Sequence, residues 1–98
     1  MAIPLKNFAK QCEDVALASG KITPASSPSV ALYDISREWR KLHKATSFKS
    51  LNIPGRNEKE ECAAEVIIAA MTYLRRIGCN DIENLLRDTL EQHRRQIL

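Results

Sequence analysis

Four residues able to carry charge stand at helical spacing in one stretch of this chain: Glu58, Glu61, Cys62 and Glu65. At about 100° per residue they fall within roughly 100° of one another, so three carboxylates share one helix face. Like charges at that spacing repel unless something positive faces them. Glu65 is the sharpest case. It lies inside the apolar run Cys62-Ala63-Ala64-Glu65-Val66-Ile67-Ile68-Ala69-Ala70-Met71, where an unpaired carboxylate is costly to bury. Two kinds of partner would neutralise it: a hard divalent cation such as Mg²⁺, which prefers carboxylate and water oxygens, or basic side chains from a neighbouring helix.

Basic side chains are at hand in the preceding segment, where Arg37, Arg40, Lys41 and Lys44 share one side and Asp34 and Glu38 lie on the flank. A helix with several cations on one face can track phosphates, or it can simply be a solvated face. No helix-turn-helix signature, zinc spacing or aromatic stacking pattern accompanies the stripe, which speaks against a nucleic-acid partner. Cys12, Cys62 and Cys79 have no His/Asp arrangement around them for nucleophilic catalysis, and Cys12 and Cys62, on mostly apolar stretches, read as small core residues. His43 and His93 sit alone on separate helices, without a second metal ligand at helical spacing. Trp39 shares a stripe with Leu32, Ile35 and Leu42 and reads as a core or interface anchor.

The elements that must position these groups are set by three clusters of breakers, Gly20–Pro28, Ser47–Arg56 and Gly78–Asn80. Four segments of helical length lie between them, at about 4–18, 28–46, 57–77 and 81–96. In the first, Leu5, Phe8, Ala9, Cys12, Val15 and Ala16 follow amphipathic spacing, and Pro4 suits the first turn. Ser27 before Pro28 reads as an N-cap followed by the first helical residue. In the second segment the stripe Leu32, Ile35, Trp39, Leu42 is expected to seat against neighbours. The loop after it carries Phe48, Leu51 and Ile53, which a purely solvated loop would not need. Asn57 with Glu60 is a capping-box pattern for the third helix, and Gly78 suits its end. That helix is apolar almost all round and is expected to be the central one. Asn80 with Glu83 repeats the capping pattern, and Ile82, Leu85, Leu86, Leu90 and Ile97 form the stripe of the fourth helix, with Arg94 and Arg95 in its last turns.

Composition agrees with an all-α, four-helix bundle-like single domain over residues 1–98. The chain has 98 residues, 44% apolar but only 5% aromatic, with 15 basic and 12 acidic side chains. A net charge of +3 is too small to argue for nucleic acid by itself. No apolar run approaches the roughly 18–20 residues of a membrane span, and the N-terminus lacks a signal-peptide stretch. Three widely spaced cysteines without CxxC spacing fit reduced thiols in a cytoplasmic protein. An all-round apolar helix in so short a chain needs more cover than three neighbours supply, so a homodimer or higher homo-oligomer is expected.

The pattern over residues 28–96 resembles the MazG-type nucleotide pyrophosphohydrolases. An acidic residue, Glu65, is followed by an apolar run, by Gly78 thirteen positions later, by an acidic N-cap region and by a last amphipathic helix ending in basic residues. The resemblance implies an all-α oligomeric protein that cleaves nucleoside triphosphates to monophosphate and pyrophosphate, with Mg²⁺ held by an EExxE motif on one helix and an ExxD motif on the next. Glu65 matches the Asp of ExxD, and Ile35–Leu42 matches the EExxE helix with Glu38 in register. The remaining ligand positions hold Arg37, Lys41 and Cys62 instead of Glu, while Asp34 and Glu61 lie one turn away on the same faces.

Two readings of the site follow. With a metal, Asp34, Glu38, Glu61 and Glu65 hold Mg²⁺ and the chain is a nucleotide pyrophosphohydrolase, with Arg37, Lys41, His93 and Arg94 as phosphate-binding candidates. Without one, Arg37 and Lys41 pair with Glu61 and Glu65 across the helix interface. The protein is then a non-catalytic relative with a binding or regulatory role. Two cations at ligand positions favour this second reading. A third possibility is a helical dimer that serves only as a protein-interaction or nucleic-acid-binding module.

Overall fold

The computed structural model describes residues 4–97, and its architecture is all-helical: α1 (Leu5–Ala18), α2 (Pro28–Lys44), α3 (Glu58–Arg76) and α4 (Ile82–Ile97). Each start and stop has a local cause. Ser27 precedes α2 in extended conformation with Pro28 as first helical residue. Asn57 opens α3 with a complete capping box: its side chain accepts from the Glu60 N–H at 2.8 Å, and Glu60 Oε1 accepts from the Asn57 N–H at 3.1 Å. Glu58, Glu60 and Glu61 fill the first turn, where the helix dipole favours acids.

α3 ends in a Schellman turn. The Cys79 N–H bonds the Leu74 carbonyl and the Gly78 N–H the Arg75 carbonyl, with Gly78 at φ +86°, a conformation that glycine adopts without a Cβ clash. α4 starts at Ile82, one residue later than the Asn80/Glu83 pattern predicts. Asp81 is the residue before it; its carbonyl accepts from the Leu85 N–H, and its carboxylate accepts from the Asn84 side chain at 3.0 Å.

α3 packs against both α2 and α1, so it is the central helix; α4 packs lightly, on α1. The core gathers Ala9 and Cys12 of α1, Met71 of α3 and Ile82 of α4, with Leu5, Phe8, Leu74 and Cys79 around them. A polar clamp locks the same C-terminal end of α3. Arg75 Nε and Arg76 Nη1 donate to the two carboxylate oxygens of Glu13 at 3.2 and 3.3 Å. Arg76 Nη2 also donates to the carbonyls of Thr23, Pro24 and Ser26. One guanidinium thereby holds the α1–α2 connector to the C-terminal end of α3.

Several apolar residues expected inside are not. α2 turns Ala31 and Glu38 inward, so its stripe is split: Ile35 and Leu42 are half-buried, while Leu32 and Trp39 stand exposed. Alanine at position 31 allows close approach to the neighbouring helices, and the contacts of Glu38 orient the rest. Trp39 meets His43 edge-on at 4.3 Å. Val15, Ile67, Ile68, Leu85, Leu86, Leu90 and Ile97 are also exposed, as are Phe48, Leu51 and Ile53 of the loop. One chain has too few helices to cover α3 all round. Among the described residues no helix is long and apolar enough to cross a membrane.

Candidate functional site

The α2–α3 interface carries the charges the sequence singles out. Glu38, in the middle of α2, is buried at 3% exposure. Glu65, one turn past the acidic start of α3, is about one-third exposed. The more buried carboxylate is therefore Glu38, and the expectation that Glu65 would be the enclosed one is corrected. Glu65 escapes full burial because α2 covers only one side of its apolar run.

Lys41 stands between the two acids. Its Nζ lies 2.9 Å from Glu65 Oε2 and 3.1 Å from Glu38 Oε2. The Glu65 contact is a hydrogen bond, whereas the ammonium approaches Glu38 off the bonding direction, so Glu38 Oε2 accepts no hydrogen bond. Asp34 and Arg37 pair within α2, and Arg37 Nε lies 3.7 Å from Glu38 Oε1. Glu61 is held by the loop instead of by α2: it accepts from the Ser50 hydroxyl and from Asn52 Nδ2, the latter at 3.0 Å. Of the expected pairing of Arg37 and Lys41 with Glu61 and Glu65, one contact is present, Lys41 with Glu65. Arg37 instead pairs with Asp34 on its own helix, which satisfies the guanidinium.

These contacts set the protonation states. Hydrogen bonding to Glu65 first, and proximity to Glu38 second, hold the Lys41 ammonium well above its ordinary range. Glu65 is pushed up by the neighbouring Glu38 carboxylate and by burial, against the pull of Lys41. Burial would raise Glu38 too, but the contacts with Glu65 and Lys41 outweigh it and hold Glu38 low. Of the two acids, Glu65 is thus the one that takes up a proton first. Glu61 is held low by the Ser50 hydroxyl and Asn52 amide. Burial raises the Cys12 and Cys62 thiols, the latter also by the charge of Glu65, which suits inert core residues.

The raised Glu65 has a sign that can be measured. A carboxyl whose folded value lies above its unfolded one stabilises the fold when protonated and loses that contribution as pH rises through the folded value. The advantage in Tm of the wild type over Glu65→Gln should therefore shrink as pH rises from 4.5, the ordinary carboxyl value, toward neutrality. Taking the difference cancels the carboxylates that do not touch Glu65 and reports the coupled Glu38–Glu65 pair; a difference that grows with pH would contradict the assignment.

Three of the four expected metal ligands share one cleft, and the fourth lies outside it. Asp34, Glu38 and Glu65 line a cleft of about 230 Å³ beside Cys12, Lys21 and Thr72, while Glu61 faces a separate groove between the loop and α3. No group of three or more His, Cys, Asp or Glu among the described residues is arranged to hold a metal ion. Glu38 and Glu65 are bridged by an ammonium, and Asp34 and Glu61 are engaged elsewhere. Of the phosphate-binding candidates, Arg37 and Lys41 are part of this interface. His93 and Arg94 are not: α4 extends from α1, and Arg94 lies 3.7 Å from Glu91 of its own helix.

Three contributors were missed in the sequence: Lys21, which lines the cleft; the Ser50/Asn52 cradle of Glu61; and the Glu13–Arg75–Arg76 clamp. The adjacent Arg75-Arg76 pair at the end of an apolar helix was the available signal for the clamp. Comparison with described protein families, characterised proteins and solved structures finds no match for this chain.

Proposed function

We propose that this chain is a MazG-like helical module in which the Lys41 ammonium stands where enzymes of that type hold Mg²⁺, and that it serves as a self-associating binding or regulatory protein. The observation that carries the reading is the position of Lys41 Nζ, 2.9 Å from Glu65 and 3.1 Å from Glu38. An ammonium there supplies the positive charge that two facing carboxylates need, and a divalent ion would have to displace it against a tight pairing. The exposed apolar residues of α2, α3 and α4 support homo-oligomerisation.

A second reading, an Mg²⁺-dependent nucleotide pyrophosphohydrolase, draws on one observation. Glu38 Oε2 is buried without a hydrogen bond and its residue lines the cleft, and Lys41 is a flexible, half-exposed side chain able to swing away. Pyrophosphate release from a panel of nucleoside triphosphates with millimolar Mg²⁺ separates the two. The expected result is no release above a chain-free control. Release that requires Mg²⁺ and disappears in Glu38→Gln would replace the binding reading with the enzymatic one.

A further inference from the structure

α4 is too lightly packed for its composition. It joins the core through Ile82, yet carries Leu85, Leu86, Leu90 and Ile97 into solvent, Leu90 at 64% exposure. Leu86, Leu90 and Arg94 are four apart, so they form one row along the helix with the cation at its end. Elsewhere on the chain lies a surface of matching character. The groove between the 47–57 loop and α3, about 460 Å³, has apolar walls at Ile53, Ala64 and Ile68 and a net negative rim, with acids at Glu60, Glu61 and Glu65 against one cation, Arg56, which pairs with Glu60.

The dimensions call for a second copy. The chain exposes 7426 Å², whereas a compact monomer of 11.1 kDa exposes roughly 5,700 Å². Its radius of gyration is 14.9 Å against about 12.6 Å for a compact domain of this length. The excess, roughly 1,700 Å² per chain, exceeds the ~800 Å² per partner of a standard interface and falls in the range of obligate homodimers.

We propose that the loop–α3 groove receives α4 of a second copy of this chain, Leu86 and Leu90 against Ile53, Ala64 and Ile68, with Arg94 among Glu60, Glu61 and Glu65. A two-fold axis makes the exchange reciprocal, so both grooves and both α4 stripes are covered at once. The carboxylate face is then completed in trans: a cation from the partner's last helix joins Lys41 of the first chain. The inference rests on the self-association part of the function proposed above and is independent of whether a nucleotide is hydrolysed.

The test is disulfide trapping between chains in a Cys79→Ser background, which removes the one half-exposed thiol. One chain carries Ile68→Cys and the other Leu90→Cys; both positions are exposed, so neither change empties the core. Mild oxidation of the two refolded together should give a linked heterodimer, with little linkage in either alone. Linkage of Leu90→Cys to itself would show α4 meeting α4 and overturn the proposal. A dimer in sedimentation that gives no mixed disulfide would overturn it while leaving self-association intact, and a stable monomer at micromolar concentration would overturn both. In the same dimer Arg94→Glu should raise the dissociation constant about tenfold, the scale of one interfacial charge pair, and Arg95→Glu, off the row, should leave it nearly unchanged. Equal effects would contradict the register.

Discussion

Arg76→Ala is expected to destabilise the fold by about 3 kcal/mol, lowering the Tm by roughly 10–20 °C for a domain of this size. The guanidinium makes four hydrogen bonds, one to Glu13 and three to the carbonyls of Thr23, Pro24 and Ser26. Their loss has two consequences. Glu13, largely buried, keeps only Arg75, and the connector loses the group that sets the angle between α1 and α2. Arg75→Ala should cost less, since its contact in the clamp is the single bond to Glu13. Arg87→Ala, an exposed residue 3.8 Å from Glu83, should change stability by no more than about 0.5 kcal/mol. Thermal or urea unfolding of the three variants checks the order, and a loss at Arg76 no larger than at Arg87 would remove the clamp from the account.

Lys41→Ala is the second large effect. A buried pair stripped of one partner costs about 3–5 kcal/mol, an exposed one about 1 or less. Lys41 is half-exposed and faces one buried and one partly buried acid, so the expected loss is about 1–3 kcal/mol. Lys44→Ala, in the last turn of α2, should lie within about 0.5 kcal/mol of wild type. Much of the Lys41 loss is the repulsion left between Glu38 and Glu65, so it should lessen at acid pH, where Glu65 takes up a proton. Millimolar Mg²⁺ is expected to leave the wild-type Tm unchanged, because the ammonium already neutralises the site. Lys41→Glu, which restores an acid at a ligand position of the MazG pattern, should instead gain Tm with Mg²⁺; saturation at 100 times the dissociation constant would correspond to about 2.7 kcal/mol. An Mg²⁺-dependent rise in the wild type would argue for the metal site.

Helix positions were legible in the sequence because their causes are local. The Asn57/Glu60 capping box, the Ser27-Pro28 start and the positive-φ turn at Gly78 act within a few residues, and the boundaries of α1, α2 and α3 fall within two residues of the expected ones. The pairing of Lys41 with Glu65 was legible for a related reason: an acid in an apolar run requires a counter-charge, and the basic residues of α2 are the nearest supply. Rotation of the helices was not. Position 38 lies between Arg37 and Trp39, so nothing adjacent marks it as the buried acid, whereas the apolar stripe through Leu32 and Trp39 points to the opposite choice.

Amphipathic pattern alone therefore determined that there are four helices and that Glu65 needs a cation. It narrowed the cation to the basic residues of α2 but could not assign each charge its partner, because those partners come from elements far apart in sequence. Tertiary structure assigned Glu61 to Ser50 and Asn52, Arg37 to Asp34, and Arg76 to the connector. It also joined α4 to the core through Ile82 alone, leaving His93 and Arg94 away from the carboxylates. The physical reason is reach: a cap or turn is settled by atoms within one helical turn, while the partner of a charged side chain is whichever group the packing of whole helices brings within about 3 Å.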